Sequence, residues 1–334
     1  MPADPSSLAL VLVADFLEET RIESPILLDV ARITNVLAQH ESGLAPYLAD
    51  AQALLLFHDI ARLSDETFAK APRLKVVVRA GVGYNNVDLE AAAARGIGVC
   101  NVPDYGSEEV ADHAMLLMLA VARHLIPQSD GMRRGEWDYR VGLATPRLRG
   151  KVFGVIGCGR IGTAAALRAK AFGMDVVFYD PNLPPGVDKA LGIRREFELE
   201  PLLRQADVVS LHCYLDAGSR HLMNARTIAL MKPTAILVNT SRGPVIEQAA
   251  LIDALESGHL LGAGIDVFET EPLAEARLRN HPRVVLTPHS AFYSIEGFDE
   301  MRTKAAEEVR RVLLGQRPRN LVNRAWIQAP RLTI

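Results

Sequence analysis

Short apolar runs alternate with helical patterns along the whole chain, which predicts βα units stacked on parallel sheets. In the first third, Leu8–Val13, Ala53–Phe57, Lys75–Val78 and Gly98–Cys100 read as strands. Ile26–Gln39, Asp65–Ala71 and Asp88–Arg95 between them read as helices, and together these make a small α/β domain. Further along, Val152–Ile156, Val176–Tyr179, Val208–Leu211, Ile236–Asn239, Gly264–Phe268 and Val284–Leu286 predict six strands, enough for a doubly wound sheet. Pro103 and Pro288 fall where the chain would cross between two bodies. Glu296–Leu314 reads as one helix, ended by Gly315 and Pro318, that returns to pack on the first domain. Glu108–Arg123 is apolar almost all round, the pattern of a helix buried on every side. It serves either as interior packing or as a subunit interface.

One strand–turn–helix carries chemistry. Val152–Ile156 runs into Gly157-Cys158-Gly159-Arg160-Ile161-Gly162, a helix follows to about Phe172, and the next strand ends at Asp180. Gly157 permits the tight turn, Gly159 lets the backbone approach a pyrophosphate, and Gly162 lets helix and strand pack closely. The free N–H groups at the helix start favour an anion. Asp180 can accept from both hydroxyls of an adenosine ribose, and would repel a 2′-phosphate. Because Pro181, Asn182 and Leu183 follow with no adjacent base, NAD is expected over NADP. Arg194 and Arg195 lie too far along the chain to be assigned to the nucleotide.

Size and charge narrow the remaining classes. A chain of 334 residues with 49% hydrophobic and 23% charged positions fits two globular domains. A net charge of −3 gives no footprint for nucleic acid or an anionic membrane. Leu8–Ala14 is too short to span a bilayer and lacks a basic leader, so it is expected to be a buried strand. Cys100, Cys158 and Cys213 form no CxxC pair, which argues against a disulfide framework or a metal site and for a reducing cytoplasm.

Nucleotide binding does not define a reaction, and residues at the C-terminal ends of strands narrow it further. Arg242 follows Ala235–Asn239 in a Ser-Arg-Gly-Pro turn, where a guanidinium can hold a carboxylate through two parallel hydrogen bonds. His289 follows Val284–Leu286 in Thr-Pro-His and is a candidate proton donor and acceptor. A carboxylate reaching its ring would favour the imidazolium and orient it. Glu271 is the first candidate and Glu269 its rival.

These pieces, taken in order, resemble the D-isomer-specific 2-hydroxyacid dehydrogenases over nearly the full length. The matching runs are Arg79-Ala-Gly-Val-Gly-Tyr-Asn-Asn-Val-Asp88, Cys100-Asn-Val-Pro-Asp-Tyr105, Glu108-Glu-Val-Ala-Asp-His113 and the glycine loop. Asn239-Thr-Ser-Arg-Gly243, Gly264-Ile-Asp-Val267 and Thr287-Pro-His289 complete them. The resemblance implies a flavodoxin-like substrate domain at 1–104 and 295–334, with an inserted Rossmann NAD-binding domain at 105–294. It implies catalysis by Arg242, Glu271 and His289, with the substrate carboxylate on the amides of Val82 and Gly83. Cofactor contacts fall on Gly157, Gly159, Arg160, Ile161, Gly162, Asp180, Cys213, Thr240, Ser241, Arg242, Asp266 and His289, with Asp266 near the carboxamide.

The same likeness implies a homodimer built on Glu108–Arg123. The run Ser290-Ala291-Phe292-Tyr293-Ser294 is similar to the C-terminal binding protein branch, which suggests Phe292 closing over a substrate side chain. Tyr105 matches a substrate-contacting tyrosine of D-lactate dehydrogenases. The activity expected is NAD-dependent interconversion of D-2-hydroxy and 2-oxo acids. The alternatives are an NAD(H)-sensing scaffold and a short-form 3-phosphoglycerate dehydrogenase, and phosphite oxidation on a related scaffold stays open.

Overall fold

In the computed structural model, which describes residues 8–334, the chain forms two compact units. The first takes the residues up to Gly106 together with Ser294–Ile334, and the second takes Ser107–Tyr293.

The first unit carries β1 (Ala9–Asp15), β2 (Ala31–Leu37), β3 (Ala51–Leu56), β4 (Val76–Arg79) and β5 (Gly98–Asn101) in one parallel sheet. Their order, β2-β1-β3-β4-β5, is that of flavodoxin-like sheets. Every residue of β1 is buried, as expected of a central parallel strand covered on both faces. The helix predicted over Ile26–Gln39 is absent. In its place stand the short helix Glu23–Leu27 and then β2, paired with β1 from Ala31 to Leu37. β-Branched Ile33, Thr34 and Val36 favour the extended form. Leu28 and Leu37, both within the stretch predicted as helix, are exposed.

The helix Ile295–Leu313 belongs to this unit through a buried ion pair. Arg302, 2% exposed, donates from Nε and Nη2 to the two oxygens of Glu23, which is fully buried, at 2.7 Å each. Nη2 also reaches the Glu19 carbonyl at 3.0 Å, and the Phe298 ring lies under the guanidinium.

The second unit holds β6 (Val152–Ile156), β7 (Asp175–Tyr179), β8 (Arg194–Glu196), β9 (Val208–Leu211), β10 (Ile236–Asn239), β11 (Gly262–Ile265) and β12 (Val284–Leu286). All are parallel, in the order β12-β11-β10-β9-β6-β7-β8. This is a Rossmann sheet whose direction of growth reverses between β6 and β9. It has seven strands rather than the six predicted, because β8 is a polar three-residue edge strand with no apolar run to announce it. β11 also begins and ends earlier than predicted.

The apolar helix spans Ser107–Ala122 and lies inside this unit. A Cβ on Gly264 would fall 2.6 Å from the Leu117 Cβ, and one on Gly262 would fall 2.7 Å from a Val121 methyl, so these glycines are what lets helix and sheet approach. Interior packing therefore accounts for most of its apolar surface, and Leu116 alone among its large apolar side chains stays well exposed. No single helix among the described residues is long and apolar enough to cross a membrane.

Candidate functional site

One row of aligned residues crosses the second sheet. Tyr179, Ile156, Leu211, Asn239, Ile265 and Leu286 are successive Cα partners on adjacent strands. Most of the second unit's candidate residues lie one to three positions past this row, and the rest within six, at the C-terminal edge where open α/β sheets bind ligands.

The nucleotide side is built from the glycine loop and the end of β7. Gly157 has φ +87°, and a Cβ there would lie 2.5 Å from the Cys213 amide nitrogen. A Cβ on Gly162 would lie 2.0 Å from the Gly157 carbonyl oxygen, so both positions exclude side chains. Gly159 differs, because its Cβ direction has nothing within 4 Å. It also begins the helix Arg160–Ala171 without a side-chain cap, which suits the first-turn amides of Arg160 and Ile161 to a pyrophosphate. Asp180 Oδ2 accepts from the Cys158 amide and Oδ1 from the Asn182 amide, both at 2.9 Å. These two bonds aim the carboxylate and leave each oxygen able to accept from a ribose hydroxyl.

Arg195, set aside on sequence distance, comes back through the pairing of Phe178 with Arg195. Its guanidinium donates to the carbonyls of Asp180 (2.6 Å), Leu183 (2.9 Å) and Pro184 (3.1 Å), so it braces the loop that carries Asp180. Past β9, burial pushes the Cys213 thiol up to about 11 and the His212 imidazole down to about 4. Both stay neutral near pH 7, and His212 was missed in the sequence. Thr240 Oγ1, just past β10, is buried with no hydrogen-bond partner among the described residues, a donor suited to a bound cofactor. These features fit NAD.

The chemical side is built from the ends of β10, β11 and β12. Buried Asn239 accepts from the Ser241 amide (3.0 Å) and hydroxyl (2.8 Å) and donates to the Arg242 carbonyl (3.0 Å), which fixes the turn presenting Arg242. Gly243 is required next, since a Cβ there would lie 1.8 Å from the Phe268 carbonyl oxygen. His289 sits at φ +54°, a conformation that a non-glycine residue holds only when its surroundings impose it. Its amide donates to the Asp266 carbonyl at 2.8 Å.

Asp266, 1% exposed, accepts from the Thr287 hydroxyl (2.5 Å) and the Ser290 amide (2.9 Å) on Oδ1, and from the Ala291 amide (3.1 Å) on Oδ2. Its carboxylate thus anchors the turn that carries His289. His113 joins the same network through Thr287 Oγ1 at 2.9 Å, a partnership no local sequence signal announces.

The rivalry between the two acids is resolved by geometry. Glu271 Oε2 lies 2.8 Å from His289 Nδ1, and its Oε1 accepts from the Phe268 amide at 2.9 Å. Burial pushes the Glu271 carboxyl up, but the hydrogen bond and charge of His289, the Phe268 amide and the Arg242 guanidinium outweigh it and hold the group below its ordinary value. Glu269 turns instead to His221, with Oε1 2.5 Å from Nε2. The Phe292 ring stands edge-on to the His289 imidazole at 6.2 Å.

In the first unit, the Val82–Gly83 loop follows β4 and is pinned by Asn101 Nδ2 on the Val82 carbonyl at 2.7 Å. Tyr105 is buried, and its hydroxyl lies beside Gly81.

A family model described as D-isomer specific 2-hydroxyacid dehydrogenase, NAD binding domain, matches residues 115–291. The D-3-phosphoglycerate dehydrogenase of Methanocaldococcus jannaschii is 39% identical over 313 residues, which cover 94% of this chain and 59% of that protein. The chain thus spans about three-fifths of that relative's length. The glyoxylate reductase of Pyrococcus furiosus is 41% identical over 274 residues, covering 80% of this chain and 81% of that one. Among solved structures, a glyoxylate reductase from Paecilomyes thermophila superposes with a TM-score of 0.87 at 28% identity, covering 96% of this chain and 99% of that one. The chain belongs to the D-isomer-specific 2-hydroxyacid dehydrogenases.

Proposed function

We propose that this chain reduces a small 2-oxo acid to the D-2-hydroxy acid with NADH and runs the reverse oxidation. The observation that carries the reading is the 2.8 Å contact between His289 Nδ1 and Glu271. It places a proton on Nδ1, and Nε2, at the tip of the ring, is the nitrogen assigned to exchange a proton with the substrate oxygen. The glycine loop, Asp180 and Thr240 are the residues that would hold NADH, which when bound supplies the hydride. Arg242 takes the substrate carboxylate through its planar fork and stabilises charge developing on the neighbouring oxygen. Glu271 orients the ring through Nδ1. The Val82 and Gly83 amides are the first unit's candidates for binding substrate, with Tyr105 and Phe292 as candidate side-chain contacts. Asp180 disfavours a 2′-phosphate, so NAD is preferred to NADP.

The glyoxylate reductase relatives favour a short substrate. A phosphorylated 2-hydroxy acid is the second reading, favoured by the 39% identity to a D-3-phosphoglycerate dehydrogenase. Glyoxylate and 3-phosphohydroxypyruvate assayed side by side separate the two. Assembly as a homodimer belongs to the same proposal. Its support is apolar exposure just beyond the Ser107–Ala122 helix, where Trp137, Tyr139 and Leu143 are 83%, 79% and 78% exposed. A reducing cytoplasm suits the three free thiols.

Replacing Arg242 with lysine tests the reaction class. Lysine keeps the charge but not the two-pronged geometry, so Arg242→Lys should lose about 2–5 kcal/mol of transition-state stabilisation on a 2-oxo acid. The corresponding aldehyde, which lacks the carboxylate, should be affected far less. Equal losses on both substrates would remove Arg242 as the carboxylate anchor.

A further inference from the structure

Three separated segments of the second unit meet behind Arg242. The stretch 221–223 runs beside 244–247: the His221 amide donates to the Pro244 carbonyl (2.8 Å), Met223 donates to Val245 (3.0 Å), and Glu247 donates back to Met223 (2.8 Å). The third segment is Phe268–Glu269, against which Gly243 is pressed so closely that a Cβ would lie 2.5 Å from the Glu269 nitrogen. One side chain ties all three together. Glu269 Oε1 pairs with His221 Nε2 at 2.5 Å, while Oε2 accepts from the Gln248 amide at 3.3 Å.

His221 itself stands at φ +51°, another left-handed non-glycine residue held by its surroundings. Neither member of this pair is needed for the proton transfer assigned to His289. The turn they hold begins one residue after Arg242.

We propose that His221 and Glu269 are positioning residues for Arg242, and that their pairing sets where the guanidinium meets the substrate carboxylate. This rests on reading Arg242 as the carboxylate anchor. A fork that makes two parallel hydrogen bonds tolerates little displacement, so a loosened turn weakens binding of the carboxylate before it affects proton or hydride transfer. A purely structural pair would instead lower stability and leave the preference for acids over aldehydes unchanged.

The test is steady-state kinetics of the full chain with NADH, a 2-oxo acid and the corresponding aldehyde. Glu269→Gln removes the carboxylate charge and leaves one acceptor oxygen for two contacts, so the His221 contact persists only if the ring switches tautomer and accepts from the amide. KM for the 2-oxo acid should rise about fivefold or more, with kcat within about twofold and KM for the aldehyde unmoved. His221→Gln keeps a donor of similar reach and should recover most of the 2-oxo acid KM relative to His221→Ala, and it gives a second measurement if one variant folds poorly. An unchanged 2-oxo acid KM in a folded Glu269→Gln protein overturns the proposal, as does an equal rise for the aldehyde. Arg242→Lys run in parallel separates the two readings. If it hurts both substrates equally, the carboxylate anchor itself falls. If it is selective while Glu269→Gln is silent, only the positioning role falls.

Discussion

Two histidine–glutamate pairs of the second unit draw their acids from one loop, where the two are separated only by Thr270. Both histidines have left-handed backbones, at φ +51° for His221 and +54° for His289. Exposure does not separate them: the side chains are 38% and 30% exposed in His221–Glu269, against 28% and 37% in His289–Glu271. The difference is which nitrogen the acid takes. Glu269 takes Nε2, the tip of its histidine, whereas Glu271 takes Nδ1, the nitrogen nearer the backbone. A carboxylate beside an imidazole is therefore no mark of catalysis by itself. What distinguishes the two is the nitrogen the acid takes, together with the place of His289 just past β12 at the ligand-binding edge of the sheet.

The largest expected effect tests this directly. His289→Ala should lower kcat by about 100-fold or more, since general acid–base catalysis typically contributes that much, with NADH affinity measured by fluorescence little changed. His221→Ala should keep kcat within about threefold; a fall as deep as that of His289→Ala would break the comparison.

Glu271→Gln should come next, with a loss of about tenfold and a displaced pH profile. Despite its burial, the Glu271 carboxyl is held below its ordinary value by His289, the Phe268 amide and Arg242, so its negative charge stands beside the ring assigned to proton transfer. Removing that charge should move the basic limb of the reduction profile to lower pH, and an unmoved limb would count against Glu271. The smallest effect sharpens the contrast. Glu269→Gln should leave that limb in place, because its charge faces a different ring, and a shift there would reverse the assignment of the two acids.

What the sequence made legible was local. The glycine loop could be read because each glycine answers a demand made within a few residues: a positive φ at Gly157, open space at Gly159, a close carbonyl at Gly162. Most strands were found because central parallel strands are continuous apolar runs. The edges were not. β2 was taken for a helix because an edge strand is half-covered and loses its period, and β8 was missed because Arg194, Arg195 and Glu196 carry no apolar signal. Arg195 was dismissed by chain distance, yet strand pairing brings it to the Asp180 carbonyl. Residue chemistry alone leaves Glu269 and Glu271 as rivals for the same reason, and only the family resemblance favours Glu271. Two acids two residues apart differ only in which distant histidine the fold delivers to each.

The split course of the first unit sets an order of events during synthesis. The second unit is one continuous run ending at Tyr293, so it can complete as soon as that run has left the ribosome. The first unit has to wait. Glu23 is fully buried, and the guanidinium that neutralises it arrives 279 residues later on the helix Ile295–Leu313. Until Arg302 docks, closing the first sheet would strand a carboxylate away from water at a penalty of several kcal/mol. The unit whose synthesis begins first is thus the one that can close last.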